Sequence, residues 1–446
     1  MPRVVRLLLT SLRIVLCATL LGVTFISTSG EAHAEPQKIT WRGVDIVYEG
    51  ATVTWSDPAH PGADESEPIL VFTNGAPVDA IGKPFFSIPY SAQARVLAVG
   101  GGGAGGTVRS SAATYTSHSG GGGGGAGEFL DRDNIPFGGA KTNFVYVGAG
   151  GAADGVSGTA SVGMSGEDSF ITVEGEDILR VRGGGGGGGE SVGSEGGSGG
   201  GGSYKSSSVK AGGAAAPYNE DGKGNSGGTA TTRYAGGGGG AGEVGADATT
   251  KVGGKGGDGV ESDIDPNNIR KYAAGGGGGA TNSGDPGEGG EGGGGRGAKH
   301  LNNDASFPTP GEDGTGSGGG GGGRYKIGAA GGSGIVIIRI TFVEQPMIWV
   351  PMTVTAGGKT GTIFIDSKAQ TQKSGDDLII TYTAQQGGLS FTDPEGRAEY
   401  ADNPPIWANA RILAVGGGGG GGLITEQRSG GGGGGGAGGF VEGGLD

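Results

Sequence analysis

The residues able to do chemistry are few and widely spaced. Four histidines occur in 446 residues, His33, His60, His118 and His300. No two stand four positions apart, the spacing that lets one helix face offer two imidazoles to a zinc ion. The only cysteine is Cys17. Asp and Glu together number 45, but nothing in their spacing singles out an acid and base pair. Gly357-Gly358-Lys359-Thr360 has the core of a phosphate loop, yet Thr353 stands where its first glycine belongs. Gly253 to Glu261 fits one copy of the calcium nonapeptide, with Asp258 as its acidic ligand. Such sites close between stacked copies, and only one copy is present. Neither a catalytic centre nor a cofactor nor a resident metal is expected.

Binding chemistry is better represented. Three segments between glycine runs mix aromatic rings with Ser, Thr, Asn and Gly: Thr107 to Ser119 with Tyr115 and His118, Ser203 to Asn225 with Tyr204 and Tyr218, and His300 to Asp313 with Phe307. This is the composition of antibody binding loops, where a rigid ring supplies contact area and small polar neighbours adapt. The plainer reading makes them turns. These five residues are the candidate ligand contacts, and surface glycans or other extracellular polymers are the expected partners.

The elements that must position them are dominated by glycine, 114 residues of it. Uninterrupted runs stand at 120–125, 183–189, 199–202, 236–240, 275–279, 292–295 and 318–323. A flexible linker is the default reading of such sequence. Collagen is excluded, because its glycines fall at every third position with abundant proline, and here they are contiguous with only 19 prolines. A third reading is a bundle of extended threefold polyglycine-II helices, in which seven glycines span about 22 Å. Without Cβ atoms, neighbours can close until N–H and Cα–H groups meet the next carbonyls. Ordering a residue costs roughly 1–2 kcal/mol, whereas a net hydrogen bond returns about 0.5–1.5 and a Cα–H···O contact about 0.5–1. Such runs need pinning by apolar strands. Phe144 to Val147, Phe170 to Val173, Ile178 to Val181 and Ile335 to Phe342 supply them. The predicted fold is all-β: a strand frame around packed polyglycine-II helices, with no helix after the amino-terminal segment, since glycine is too frequent and long apolar 3.6-residue patterns are missing.

Residues 1–34 read as a secretory signal peptide, with Arg3, Arg6 and Arg13, an apolar core from Ile14 to Ile26, and Ala32-His33-Ala34 before cleavage. The interrupted apolar core is short for a membrane anchor. Cleavage would take 31 basic and 45 acidic residues to 28 and 44, a net charge of −16 with no cysteine. That balance opposes binding to nucleic acid or anionic lipid and suits a secreted or cell-surface protein. A β leader over 35–68 precedes a glycine-rich module over 69–343. In the leader, Trp41 and Trp55 are expected in the core. After a β connector over 344–377, a second module over 378–446 repeats the opening strand Ala94 to Val99 as Ala410 to Val415, 316 positions on. The sequence stops at Asp446 inside this module, before a second closing strand. A rival reading makes the modules spacers of an exported enzyme whose catalytic domain lies beyond Asp446.

The chain resembles the bacterial and phage glycine-rich domain family. The resemblance rests on Val96-Leu97-Ala98-Val99-Gly100, Gly121 to Gly127 with Ala126, Tyr146 to Gly151, Gly166-Glu167-Asp168-Ser169-Phe170, and Gly331 to Arg339. It covers residues 69–343 and, in shortened form, the segment from Leu378. It implies a β framework around polyglycine-II helices, as in phage tail-fibre tip adhesins, whose loops at one end of the bundle recognise a receptor. The expected function is a secreted, noncatalytic structural or adhesive protein.

Overall fold

The computed structural model describes residues 36–75, 83–108, 120–153, 159–204, 208–280, 284–299, 307–323 and 326–344. Beyond these it describes short stretches within 349–445. The signal-peptide reading lies outside them. The described residues contain strands and turns but no helix, hence none long and apolar enough to cross a membrane. The chain divides at Gln345/Pro346 into two units.

The first unit is built on thirteen strands: β1 (Gln37–Trp41), β2 (Val44–Glu49), β3 (Ala51–Trp55), β4 (Pro68–Thr73), β5 (Phe85–Ile88), β6 (Ala92–Val99), β7 (Phe129–Phe137), β8 (Lys141–Tyr146), β9 (Ser169–Val173), β10 (Glu176–Val181), β11 (Val260–Ser262), β12 (Arg270–Tyr272) and β13 (Ile335–Val343). Two antiparallel sheets pack face to face. One has the order β1-β2-β5-β8-β9-β10 and the other β3-β4-β13-β6-β7. Two hairpins of the first sheet turn on two residues with positive φ, Arg42-Gly43 and Glu174-Gly175. That geometry matches the right-handed twist of the strands it joins.

Alternation decides the core. Val44, Ile46, Phe86, Val145 and Ile171 of one sheet meet Leu70, Phe72, Val96, Leu130 and Val336 of the other. Trp41 is fully buried and donates through Nε1 to the carbonyl of Ala63 at 3.2 Å, and Trp55 packs half-buried against the same cluster. Strands β6 and β13 are apolar on both faces because the five-stranded sheet is a middle layer. Its second face, with Ile69, Leu97, Val99, Phe129, Ile335 and Ile337, covers Tyr272, Ile264 and the alanines 126, 241 and 273. This accounts for Ile335-Val336-Ile337-Ile338, an unbroken apolar run.

At one end of the sandwich the strands continue without a break into glycine. Residues 100–107 follow β6, 120–128 lead into β7, 183–189 follow β10 and 326–334 lead into β13. The central segment, 121–127, shows how they pack. Its amides donate in rotation to three neighbours: Gly121, Gly124 and Gly127 to the carbonyls of Gly322, Gly319 and Gly316; Gly122 and Gly125 to Gly188 and Gly185; Gly123 and Ala126 to Gly236 and Gly239. Its carbonyls accept from three others: Gly103 and Gly106, Ser198 and Gly201, Gly276 and Gly279. These bonds measure 2.8–3.1 Å. Six neighbours share one segment, and the pattern recurs every three residues. A Cβ built on Gly121, Gly122 or Gly123 would overlap the carbonyls of Gly106, Gly201 and Gly276 respectively. Glycine is required here by close approach, not by backbone torsion.

The second unit has β14 (Trp349–Ala356), β15 (Lys359–Asp366), β16 (Gln370–Ser374), β17 (Asp377–Thr381), β18 (Leu389–Ser390), β19 (Ala410–Val415) and β20 (Phe440–Leu445). Ile363, Phe364 and Ile365 of β15 are buried. Lys359 and Thr360 of the phosphate-loop-like sequence open strand β15, where a phosphate loop would open a helix. The β19–β20 pair repeats part of the β6–β7 register: Val415 faces Phe440 as Val99 faces Phe129, and Ala414 faces Val441 as Ala98 faces Leu130.

Candidate functional site

The glycine block has two ends, set by the direction of its segments. Segment 100–107 leaves β6, and 120–128 returns antiparallel to it through Gly100 to Glu128, Gly103 to Gly125 and Gly106 to Gly122. The proximal end therefore lies against the strands, and Val108 and Gly120 mark the distal end.

The candidate contacts divide between these ends. Tyr115 and His118 lie outside the described residues. Tyr204 is at the distal end, where Ser203 Oγ donates to the carbonyl of Gly120 at 2.9 Å, but the residue is only 8% exposed. Phe307 is also distal and is 53% exposed, with Lys326 Nζ 4.2 Å from its ring centroid. Tyr218 belongs to the proximal end. The residue is 55% exposed, with the Arg182 guanidinium 5.7 Å from the ring centroid. Its phenol is pushed above its usual range, by burial first and by the nearby Asp168 carboxylate second.

The proximal turn at Tyr218 is held by Glu128, a fully buried carboxylate. It accepts the amides of Arg182 at 2.9 Å, Tyr218 at 2.8 Å and Asn219 at 3.0 Å, and the Asn219 side-chain amide at 2.7 Å. Four N–H donors satisfy the buried charge. The outer rim of the same region is closed by the Arg132–Asp221 pair.

Asp258 is also proximal, and its surroundings are those of an ion pair. Its Oδ1 accepts from Lys255 Nζ at 2.7 Å and from the amide of Glu291 at 2.8 Å. Burial acts to raise its pKa, but the Lys255 hydrogen bond and the Glu291 amide outweigh it, so the carboxyl lies below its usual value. Among the described residues no group of three acidic, His or Cys side chains is placed to hold a metal ion.

Sequence reasoning missed an aromatic row on the outer face of the six-stranded sheet. Tyr146 and Phe170, paired across β8 and β9, stack at 4.2 Å with a 16° interplanar angle. Lys83 Nζ lies 5.3 Å from the Tyr146 ring centroid, and the Arg180 guanidinium 3.9 Å from that of Phe170. The rings contact each other and flanking cations, so this row braces the sheet. The alternation of outward Tyr146 with inward Val145 was the available signal.

The model of the glycine-rich domain family matches residues 80–341. That range holds both distal-end and proximal-end segments and strands β5 to β12 entire, with most of β13. No curated protein matches the chain.

Proposed function

The chain belongs to the glycine-rich domain family, and we propose that it is a noncatalytic, exported structural or adhesive protein. In this reading the runs are polyglycine-II helices, and an extracellular polymer is contacted at the turns of the distal end. One observation carries the scaffold reading: segment 121–127 hydrogen-bonds to six neighbours with a repeat of three residues. Three residues per turn is the repeat of that helix, and a flexible tether would form no such network. The basic and apolar amino-terminal sequence supports export.

Amide hydrogen exchange on the native protein tests the scaffold. Slow exchange is expected across 183–189 and 318–323, and free-peptide rates there would make the runs a spacer. A glycan-array screen of the full chain tests adhesion. Phe307→Ala is expected to weaken any captured ligand while Tyr218→Ala leaves it bound, since only the former lies at the distal end. The reverse result would move the contact to the proximal turns.

A further inference from the structure

The hydrogen-bond topology places charged residues at both ends of the glycine block. Glu195, Glu243, Asp258, Glu291, Glu312 and Asp313 stand on or beside proximal turns, where Arg182, Lys255, Lys271 and Arg270 form ion pairs with Glu195, Asp258, Glu291 and Glu312. Four neighbouring distal turns instead carry Lys210, Arg233, Lys251 and Lys299. These turns touch in sequence around the rim. The amide of Ala230 donates to the carbonyl of Lys210 at 3.1 Å, Thr231 Oγ1 to the carbonyl of Thr249 at 3.1 Å, and the amide of Asp285 to the carbonyl of Lys251 at 3.1 Å. Lys299 Nζ then reaches Asp285 Oδ1 at 2.7 Å. That pair engages Lys299 and Asp285 with each other, and Asp247, which accepts the amide of Thr229, is a second acid on the rim. Lys210 and Lys251 make no ion pair among the described residues, and Arg233 and Lys251 are exposed. Exposed Ser208, Thr232 and Thr250 lie between these cations, whereas the Thr249 hydroxyl is held within its turn by the amides of Lys251 and Val252.

A chain with net charge −14 has thus gathered cations, with hydroxyls between them, on one rim of its scaffold. We propose that the rim of Lys210, Arg233, Lys251 and Lys299 binds an anionic polysaccharide. This rests on the polymer-binding part of the proposed function and names its ligand class. Separated ammonium and guanidinium groups suit carboxylates spaced along a sugar chain, and the hydroxyls between them suit its ring hydroxyls. The acidic remainder of the chain repels a polyanion, which confines engagement to the distal rim and presents the block end-on. Duplex nucleic acid, with a charge about every 1.7 Å, needs far denser neutralisation than four cations on an acidic protein supply.

The full chain is tested by interferometry on immobilised polygalacturonate, neutral dextran and duplex DNA, at low and physiological ionic strength. Polygalacturonate is expected to bind and to weaken with salt. The affinity is expected to fall about tenfold in the triple variant Lys210→Gln, Arg233→Gln, Lys251→Gln, and to persist in Lys210→Arg, Arg233→Lys, Lys251→Arg and in the sandwich control Lys38→Gln. Protected amides at Gly236 and Gly279 establish that the triple variant is folded, so its loss of binding reads as loss of charge. Tighter binding to DNA than to polygalacturonate overturns the proposal. If dextran and polygalacturonate bind alike and neutralisation changes neither, polymer binding stands and the anionic ligand class is lost. If no polymer binds, this proposal falls together with the polymer-binding part of the proposed function, and the scaffold reading is judged by amide exchange alone.

Discussion

The carboxylate of Glu128 receives both the backbone amide of Asn219 at 3.0 Å and its side-chain amide at 2.7 Å, across 91 positions of sequence. With the amides of Arg182 and Tyr218 it ties the end of β10, the start of β7 and the 216–222 turn into one knot. A neutral amide would turn an NH2 group toward some of these donors. Glu128→Gln is therefore expected to cost about 3 kcal/mol, read as a lower midpoint in urea unfolding with an unchanged slope.

Gly276 and Gly138 make a matched pair for the packing argument. A Cβ on Gly276 would overlap the carbonyl of Gly319, whereas one on Gly138 meets nothing nearer than the Lys141 side chain at 3.7 Å. Gly276→Ala is expected to lose about 3 kcal/mol or to fail to fold. Gly138→Ala is expected to be neutral or to gain about 0.5 kcal/mol by restricting the unfolded chain. Equal thermal shifts in the two variants would refute close approach as the reason for glycine.

The Asp258 carboxyl titrates below its usual value of 3.8 in the folded protein. A depressed folded pKa adds stability above the unfolded value, and that contribution fades as pH falls through the folded one. Asp258→Asn should accordingly lower Tm at neutral pH and lower it progressively less as pH falls through the folded pKa, below which the wild-type carboxyl is protonated in both states. A Tm difference independent of pH would assign the effect to packing.

A double-mutant cycle measures the bracing row. Tyr146→Ala and Phe170→Ala should show a coupling of about 0.5–1.5 kcal/mol, with polymer binding unchanged in both single variants. Loss of binding in either would bring the outer sheet face into the ligand site.

The frame was legible because its strands carry side chains. Ile335 to Phe342, Phe144 to Val147 and Phe170 to Val173 stand out as apolar runs, and each is a strand or its continuation. The all-β fold followed from them. The course of the glycine segments was not legible, because a residue without a side chain carries no periodicity and gives no sign of which neighbour it will meet. That is why Tyr204, Phe307 and Tyr218 looked alike in sequence, although two are distal and one is bound into the Glu128 knot. The basic rim was hidden for the same reason: the turns of Lys210 and Arg233 come into contact only once the intervening segments have been given directions. Glu128 gave no signal either, since a lone acid before an apolar strand reads as surface.

In the interior from Gly121 to Gly125, every replacement of an amino acid by another adds at least one carbon where a carbonyl already stands. Selection can therefore write almost nothing there, and heritable variety is channelled into the bends between segments. Such a chain can change what it touches rapidly while the framework beneath remains nearly immutable.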